Sequence, residues 1–256
     1  MTLAERLAGG ETLFTAWSSV PDALTVEIVA GQGFDAVTLD MQHGGHHEDS
    51  VVRSLAPVLA ADRHAIVRIP VGRFDMASRA LDLGAEAVIA PMINSLDDAR
   101  RFAAAMKYPP VGQRSWGPTF AMPRRGPQGG QEWLQSQNGA TTAFAMIETR
   151  EALAALDDIL AVPGIDGVFV GPSDFSIAWS GGARIDPGLD DMMSAITDIA
   201  ARAARAGKLA GIYVVDPALC GRYRTMGYRL FALGSEHVYM ARGIETLLDT
   251  ARRSMD

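Results

Sequence analysis

Short runs of apolar, β-prone residues recur along the chain, separated by stretches whose apolar positions follow helical spacing. Leu13 to Ser18 (LFTAWS), Ala36 to Asp40 (AVTLD), Ala65 to Ile69 (AIVRI) and Ala87 to Met92 (AVIAPM) read as the first four strands. The runs TTAFAMIE, ending at Glu148, and GVFVGPSD, ending at Asp174, hold the fifth and sixth. Leu209 to Val214 (LAGIYV) and Leu230 to Leu233 (LFAL) complete eight. Helices are expected near 48–60, 73–83 and 236–253, with a short one over 3–8 closing the bottom of a barrel. Pro21 reads as the first-turn residue of another helix, carrying Ala23, Val26, Ile28 and Val29. No hairpin signal interrupts the alternation, which is the pattern of a parallel α/β protein. Eight repeats favour closure into a (β/α)8 TIM barrel, a single domain over residues 1–256. The rival is an open doubly wound sheet, but its G-x-G-x-x-G fingerprint is missing at 17–22.

One stretch breaks the rhythm. Gly112 to Gly139 is rich in Gly, Pro, Arg and Gln, and insertions of this kind are often functional lids or mobile loops. Its Arg114, Trp116 and Phe120 would either cover a pocket or touch a neighbouring subunit. Composition narrows the setting. A hydrophobic content of 48% indicates a filled core, and a formal net charge of -7 argues against nucleic acid and anionic membranes as partners. Cys220 is the single cysteine, which removes any internal disulfide and suits a reducing compartment. The start, MTLAERLAGGE, does not read as a secretory signal, and no run is long enough to span a bilayer; a cytoplasmic protein is expected.

Charge at the ends of buried strands carries the chemistry. Glu148 and Asp174 lie one β/α unit apart, so both reach the same rim of a parallel barrel, where such folds keep their active sites. A buried carboxylate needs a partner, and paired oxygens suit a hard divalent ion. The plainer alternative is a helix cap for Asp174 and a surface ion pair for Glu148. The second strand runs into Asp40-Met41-Gln42-His43-Gly44-Gly45-His46-His47, where Asp40 would orient His43 as a base. His46 and His47 are either zinc ligands or ordinary loop histidines. Arg68, inside the third strand, would clamp a substrate carboxylate or enolate oxygen, or else pair with Asp40 or Glu148. The only lysines, Lys107 and Lys208, fall away from the rim, which disfavours a Schiff base.

The runs DMQHG, VRIP, GAEAVIAPM, GQRSWGP, MIE and GVFVGPSDFS, in this order over nearly the whole chain, resemble the metal-dependent class II pyruvate aldolases. These include the 4-hydroxy-2-oxoheptanedioate and 2-dehydro-3-deoxyglucarate aldolases. The resemblance implies a Mg²⁺, Mn²⁺ or Co²⁺ ion at Glu148 and Asp174, a base at His43 supported by Asp40, and pyruvate held by Arg68. It also implies that backbone around Gly171, Pro172 and Ser173 holds the pyruvate carboxylate, with Trp17 lining the pocket. Asp82 matches a position that approaches a neighbour's site. Members assemble as hexamers with the last helix exchanged between neighbours. Two positions depart from the pattern: Gln42 stands where relatives carry Glu, and Met146 where they often carry Gln.

The expected reaction is aldol cleavage of a 4-hydroxy-2-oxo acid to pyruvate, or a related 2-oxo acid, and an aldehyde. The aldehyde side is expected around Val214, Val215 and Asp216 after the seventh strand. Two rivals use the same scaffold: a non-catalytic 2-oxo-acid binding protein, and a metal-dependent hydrolase using the histidine cluster.

Overall fold

The computed structural model describes residues 1–125 and 129–255. All eight strands form where the buried apolar runs place them: β1 Leu13–Ser18, β2 Ala36–Asp40, β3 His64–Arg68, β4 Ala87–Ala90, β5 Thr142–Ile147, β6 Gly167–Val170, β7 Leu209–Val214 and β8 Leu230–Ser235. Each pairs in parallel with the next, and β8 returns to β1, so the sheet is a closed barrel in sequence order. β4 is shorter than its apolar run. Pro91 cannot donate to the ladder, and Met92 turns away at φ +54°.

The pleat sorts each strand into two faces. Leu13, Trp17, Ala36, Ile66, Ala87, Ile89, Phe144, Met146, Phe169 and Leu230 fill the barrel interior together with Leu3 and Leu7 of the helix Leu3–Ala8, which closes one end. The alternate residues, such as Val37, Val67, Val88, Ile147 and Ile212, pack outward against the helices. Gly211 faces inward because a Cβ there would meet Phe169 Cδ2 at 2.7 Å.

Two expectations are corrected. Pro21 lies outside its helix, Ala23–Ala30, because the Asp22 side chain accepts from the Thr25 N–H and starts the helix after it. The described residues of the insertion form no lid over the rim of their own barrel. Its Arg124 and Arg125 donate to the carbonyls of Leu83 and Gly84, and Arg125 reaches Glu86, all just before β4 and so at the amino end. Within it lies the helix Gly130–Ala140, and Arg114 is buried against Asp82. The last helix, Glu236–Arg253, has the bounds expected of it. Only Glu236 is buried; Met240, Ile244, Leu247 and Leu248 stand exposed rather than covering their own barrel.

Candidate active site

Asp40 and Arg68 are register partners on β2 and β3, both inward-facing at the carboxyl end. Arg68 grips the carboxylate with both arms: Nε donates to Oδ1 at 2.8 Å and Nη2 to Oδ2 at 2.6 Å. Trp17 Nε1 donates to the same Oδ2 at 3.2 Å, and the guanidinium lies over the indole, 4.8 Å from its centroid. Burial opposes the charge on Asp40, but these contacts hold its carboxyl below the usual range. Asp40 therefore supports His43 through the main chain. Oδ1 accepts from the N–H groups of Gln42 and His43, at 2.9 and 3.3 Å, and no bond reaches the imidazole. His43 is left exposed at the rim.

Past the Gly44-Gly45 turn, the loop is pinned from below. His46 is buried, with Nε2 at 2.9 Å from Ser18 Oγ and Nδ1 at 3.1 Å from Ser50 Oγ. Ser18 Oγ donates to Glu236 Oε1 at 2.6 Å, and Glu236 Oε2 accepts from the Ser19 N–H at 2.8 Å. Burial pushes the His46 imidazole down in pKa. Both its ring nitrogens are engaged, and no three His, Cys, Asp or Glu converge among the described residues. Among the described residues the zinc-cluster hydrolase reading has no geometry behind it.

Glu148 follows β5 directly and is buried without a cation partner. Its Oε1 accepts from the Met92 N–H at 2.8 Å. Burial pushes its carboxyl up to about 7, and the nearby charge of Asp174 adds to this. Asp174 sits in the first turn of the helix Pro172–Trp179, whose N-cap is Gly171, so it is not itself the cap. A Cβ on Gly171 would stand 2.6 Å from Glu148 Oε2, so only glycine lets this turn approach the carboxylate. An all-oxygen pair with one buried, uncompensated member fits a hard divalent ion, which keeps several water or substrate oxygens of its own. The adjoining cavity, about 270 Å³, is lined by Trp17, Asp40, His43, Arg68, Met146 and Asp174 among others. A larger cavity of about 710 Å³ lies at the amino end and shares none of these residues.

Residues 13–242 match the sequence pattern of the HpcH/HpaI aldolase/citrate lyase family. The chain belongs to that family. It is 34% identical over 240 residues to the hydroxypyruvate/pyruvate aldolase of Roseovarius nubinhibens, covering 94% of this chain and 92% of the relative. It is 32% identical over 243 residues to the 4-hydroxy-2-oxo-heptane-1,7-dioate aldolase of Salmonella dublin, covering 95% and 91%. A crystal structure of an HpcH/HpaI aldolase/citrate lyase family protein from Burkholderia cenocepacia superposes with a TM-score of 0.86 at 28% identity, covering 98% of both chains.

As an HpcH/HpaI aldolase/citrate lyase family member, the chain brings most of its expected site residues to one rim. Trp17, Asp40, His43, Arg68, Gly171, Pro172, Ser173 and Asp174 all line the cavity, with Glu148 directly behind Gly171. Two do not. Val214 packs outward among the helices, and its neighbour Tyr213 is the pocket residue, edge-on to Trp17 at 5.2 Å. Asp82 lies at the amino end, accepting from Arg114 Nη2 at 2.6 Å, and is no part of its own chain's site. Lys107 and Lys208 are away from the rim as expected: Lys107 pairs with Asp166, and Lys208 donates to the Ile165 carbonyl. Besides Tyr213, sequence reasoning missed Phe169, Ser19, Ser235 and Met92. Alternation along β7 from Gly211, the register partner of Phe169 on β6, could have found Tyr213; nothing marks the others.

Proposed function

We propose that the protein is a divalent-metal-dependent aldolase, cleaving and forming 4-hydroxy-2-oxo acids from pyruvate, or a related 2-oxo acid, and an aldehyde. The observation that carries this is Glu148, a buried carboxylate with no cation partner, set behind Gly171 at a cavity that Asp174, Arg68 and His43 line. When bound to Glu148 and Asp174, Mg²⁺, Mn²⁺ or Co²⁺ would supply Lewis-acid stabilisation of the enolate charge. Arg68, fixed by Asp40 through Nε and Nη2, keeps its Nη1 donors for the carboxylate or keto oxygen of the substrate. The N–H groups that open the helix Pro172–Trp179 have no intrahelical acceptor and suit the substrate carboxylate. Trp17 walls the pocket. In cleavage His43, directly or through water, takes the proton from the 4-hydroxyl, the C3–C4 bond breaks, and C3 is then protonated. Synthesis reverses these steps.

The assembly proposed with it is a homohexamer in which the last helix is exchanged. The exposed Met240, Ile244 and Leu247 of that helix, and Leu24 and Ile28 on the helix after β1, are apolar surfaces without a partner among the described residues. Asp82 would reach a neighbour's site in such an assembly. A cytoplasmic setting fits the single Cys220, and no helix of the described residues is long and apolar enough to cross a membrane.

The test is cleavage of a 4-hydroxy-2-oxo acid, followed by pyruvate release. Exhaustive chelation abolishes it, Mg²⁺, Mn²⁺ or Co²⁺ restores it, and Glu148→Ala or Asp174→Ala loses both metal and turnover. Full activity in a verified metal-free preparation would contradict the reading.

A further inference from the structure

Past the end of β4, side-chain bonds take over from ladder bonds in tying β4 to β5 beside Glu148. The β4–β5 ladder stops at Ala90 and Ala145, whereas the β5–β6 ladder runs on to Ile147 and Val170. Two bonds bridge the gap on the β4 side. The first runs from the Met92 N–H to Glu148 Oε1. The second joins residues just beyond: the Thr149 hydroxyl donates to Asn94 Oδ1 at 2.6 Å. That hydroxyl also accepts from the Ala152 N–H at 3.0 Å, as N-cap of the helix Arg150–Ala154, and its one proton goes to Asn94. Asn94 sits in a loop with little freedom. Ile93 is buried in the core beneath the helices, and Ser95 caps the helix Leu96–Met106, its Oγ accepting from the Asp98 N–H at 3.1 Å. Met92 precedes these anchors at φ +54°, a conformation unfavourable for methionine that persists only where its surroundings impose it.

We propose that Asn94 is a positioning residue for divalent-ion binding, acting through its bond to Thr149 and the imposed backbone of Met92. The inference rests on the reading of Glu148 and Asp174 as the ion's ligands. Held by Thr149, the Asn94 loop keeps Met92 in its left-handed turn and so aims the Met92 N–H at Glu148 Oε1. That bond occupies one carboxylate oxygen. The other, Oε2, stays beside Gly171, the N-cap of the helix that carries Asp174. Without the Asn94–Thr149 bond, Met92 relaxes toward an ordinary backbone and its N–H leaves Oε1. Glu148 then gains side-chain freedom that ion binding must remove. Hydrogen-bonded partners of a ligating carboxylate set its orientation, and losing one lowers metal affinity by about 10–100-fold. Asn94 acts one bond further back, so its loss falls at the lower end of that range.

The experiment titrates Mn²⁺ into the metal-free full chain and reads the free ion by its EPR signal. Asn94→Ala and Thr149→Val each raise the Kd by about tenfold. Thr149→Ser, which keeps the hydroxyl, keeps the wild-type Kd. The double variant binds no worse than Thr149→Val alone, because both substitutions remove the same bond. Asn94→Leu fills the same space without an acceptor, behaves as Asn94→Ala does, and decides the matter if the alanine variant fails to fold. An unchanged Kd in the Asn94 variants, equal losses in Thr149→Ser and Thr149→Val, or additive losses in the double variant each overturn the proposal. Wild-type protein that binds Mn²⁺ and loses it in Glu148→Ala, with the Asn94 variants unchanged, sinks this inference alone. Wild-type protein that binds no Mn²⁺, or binds it undiminished after Glu148→Ala, sinks the metal reading and this inference with it.

Discussion

Met92, in the left-handed region at φ +54°, gives its backbone N–H to Glu148 Oε1 at 2.8 Å. A non-glycine residue in that region is uncommon and stores strain, and here it leaves the buried carboxylate with a single neutral donor. One such bond does not balance the loss of water, and the Glu148 carboxyl is pushed up to about 7.

That imbalance has a stability consequence with a definite sign. A carboxyl raised from its ordinary 4.5 to about 7 binds its proton more tightly folded than unfolded. The metal-free fold therefore loses stability as pH climbs from the unfolded value through the folded one, by about 3 kcal/mol in all. Glu148→Gln has no charge to bury. Thermal melts of metal-free protein should show the variant more stable than wild type at pH 8, with the difference closing by pH 5. A variant less stable than wild type at pH 8 would contradict the account.

Glu86 gives the opposite dependence. Burial works against its charge, but the His64 hydrogen bond at 2.7 Å and the Arg125 charge bring it down to about 2. Its contribution, up to about 3 kcal/mol, is whole above the unfolded value near 4.5 and fades as pH falls toward 2. Urea titrations should find Glu86→Gln weaker than wild type at pH 7, with a smaller gap at pH 3. A gap independent of pH would assign the loss to packing instead.

Removing Arg68 leaves Asp40 buried and unpaired. Arg68→Ala should cost about 3–5 kcal/mol of stability along with pyruvate binding. Adding Asp40→Asn to it should return part of the stability and none of the turnover. Such a cycle separates the two roles; recovery of activity in the double variant would show that Arg68 acts only as a structural partner.

The chain from Glu236 through Ser18 to His46 sets where the His43 loop sits. Glu236→Ala strips an acceptor from the Ser18 hydroxyl and the Ser19 N–H, at about 1–3 kcal/mol for the groups left unpaired. Steady-state kinetics should show a fall in kcat larger than any rise in the KM for the 2-oxo acid, partly rescued in Glu236→Gln. Equal effects on both constants, or no rescue, would leave the network a structural tie only.

The barrel was legible because its strands are buried on both faces, so each appears as an unbroken apolar run that no hairpin competes for. The acids and the arginine stood out for the same reason: Asp40, Arg68 and Glu148 are charges inside or at the end of such runs. That apolar uniformity also hid the facing of β7. LAGIYV is apolar on both sides, so nothing in the run tells Val214, which packs outward, from Tyr213, which makes the pocket wall. Met92 carries no glycine-like signal of its left-handed backbone. The insertion announced itself by composition, but composition says nothing of which end of the barrel it closes.

Proton exchange into pyruvate without any aldehyde tests the central claim most directly, since it needs only the Glu148–Asp174 site, Arg68 and His43. In deuterated water, with saturating Mg²⁺ or Mn²⁺, the pyruvate methyl signal in proton NMR should fade faster with the protein than with metal alone. His43→Ala should slow the exchange by about 10²–10⁴-fold while keeping metal affinity. Wild-type protein that binds metal and pyruvate yet exchanges no faster than background would contradict the account and leave a 2-oxo-acid binding protein in its place.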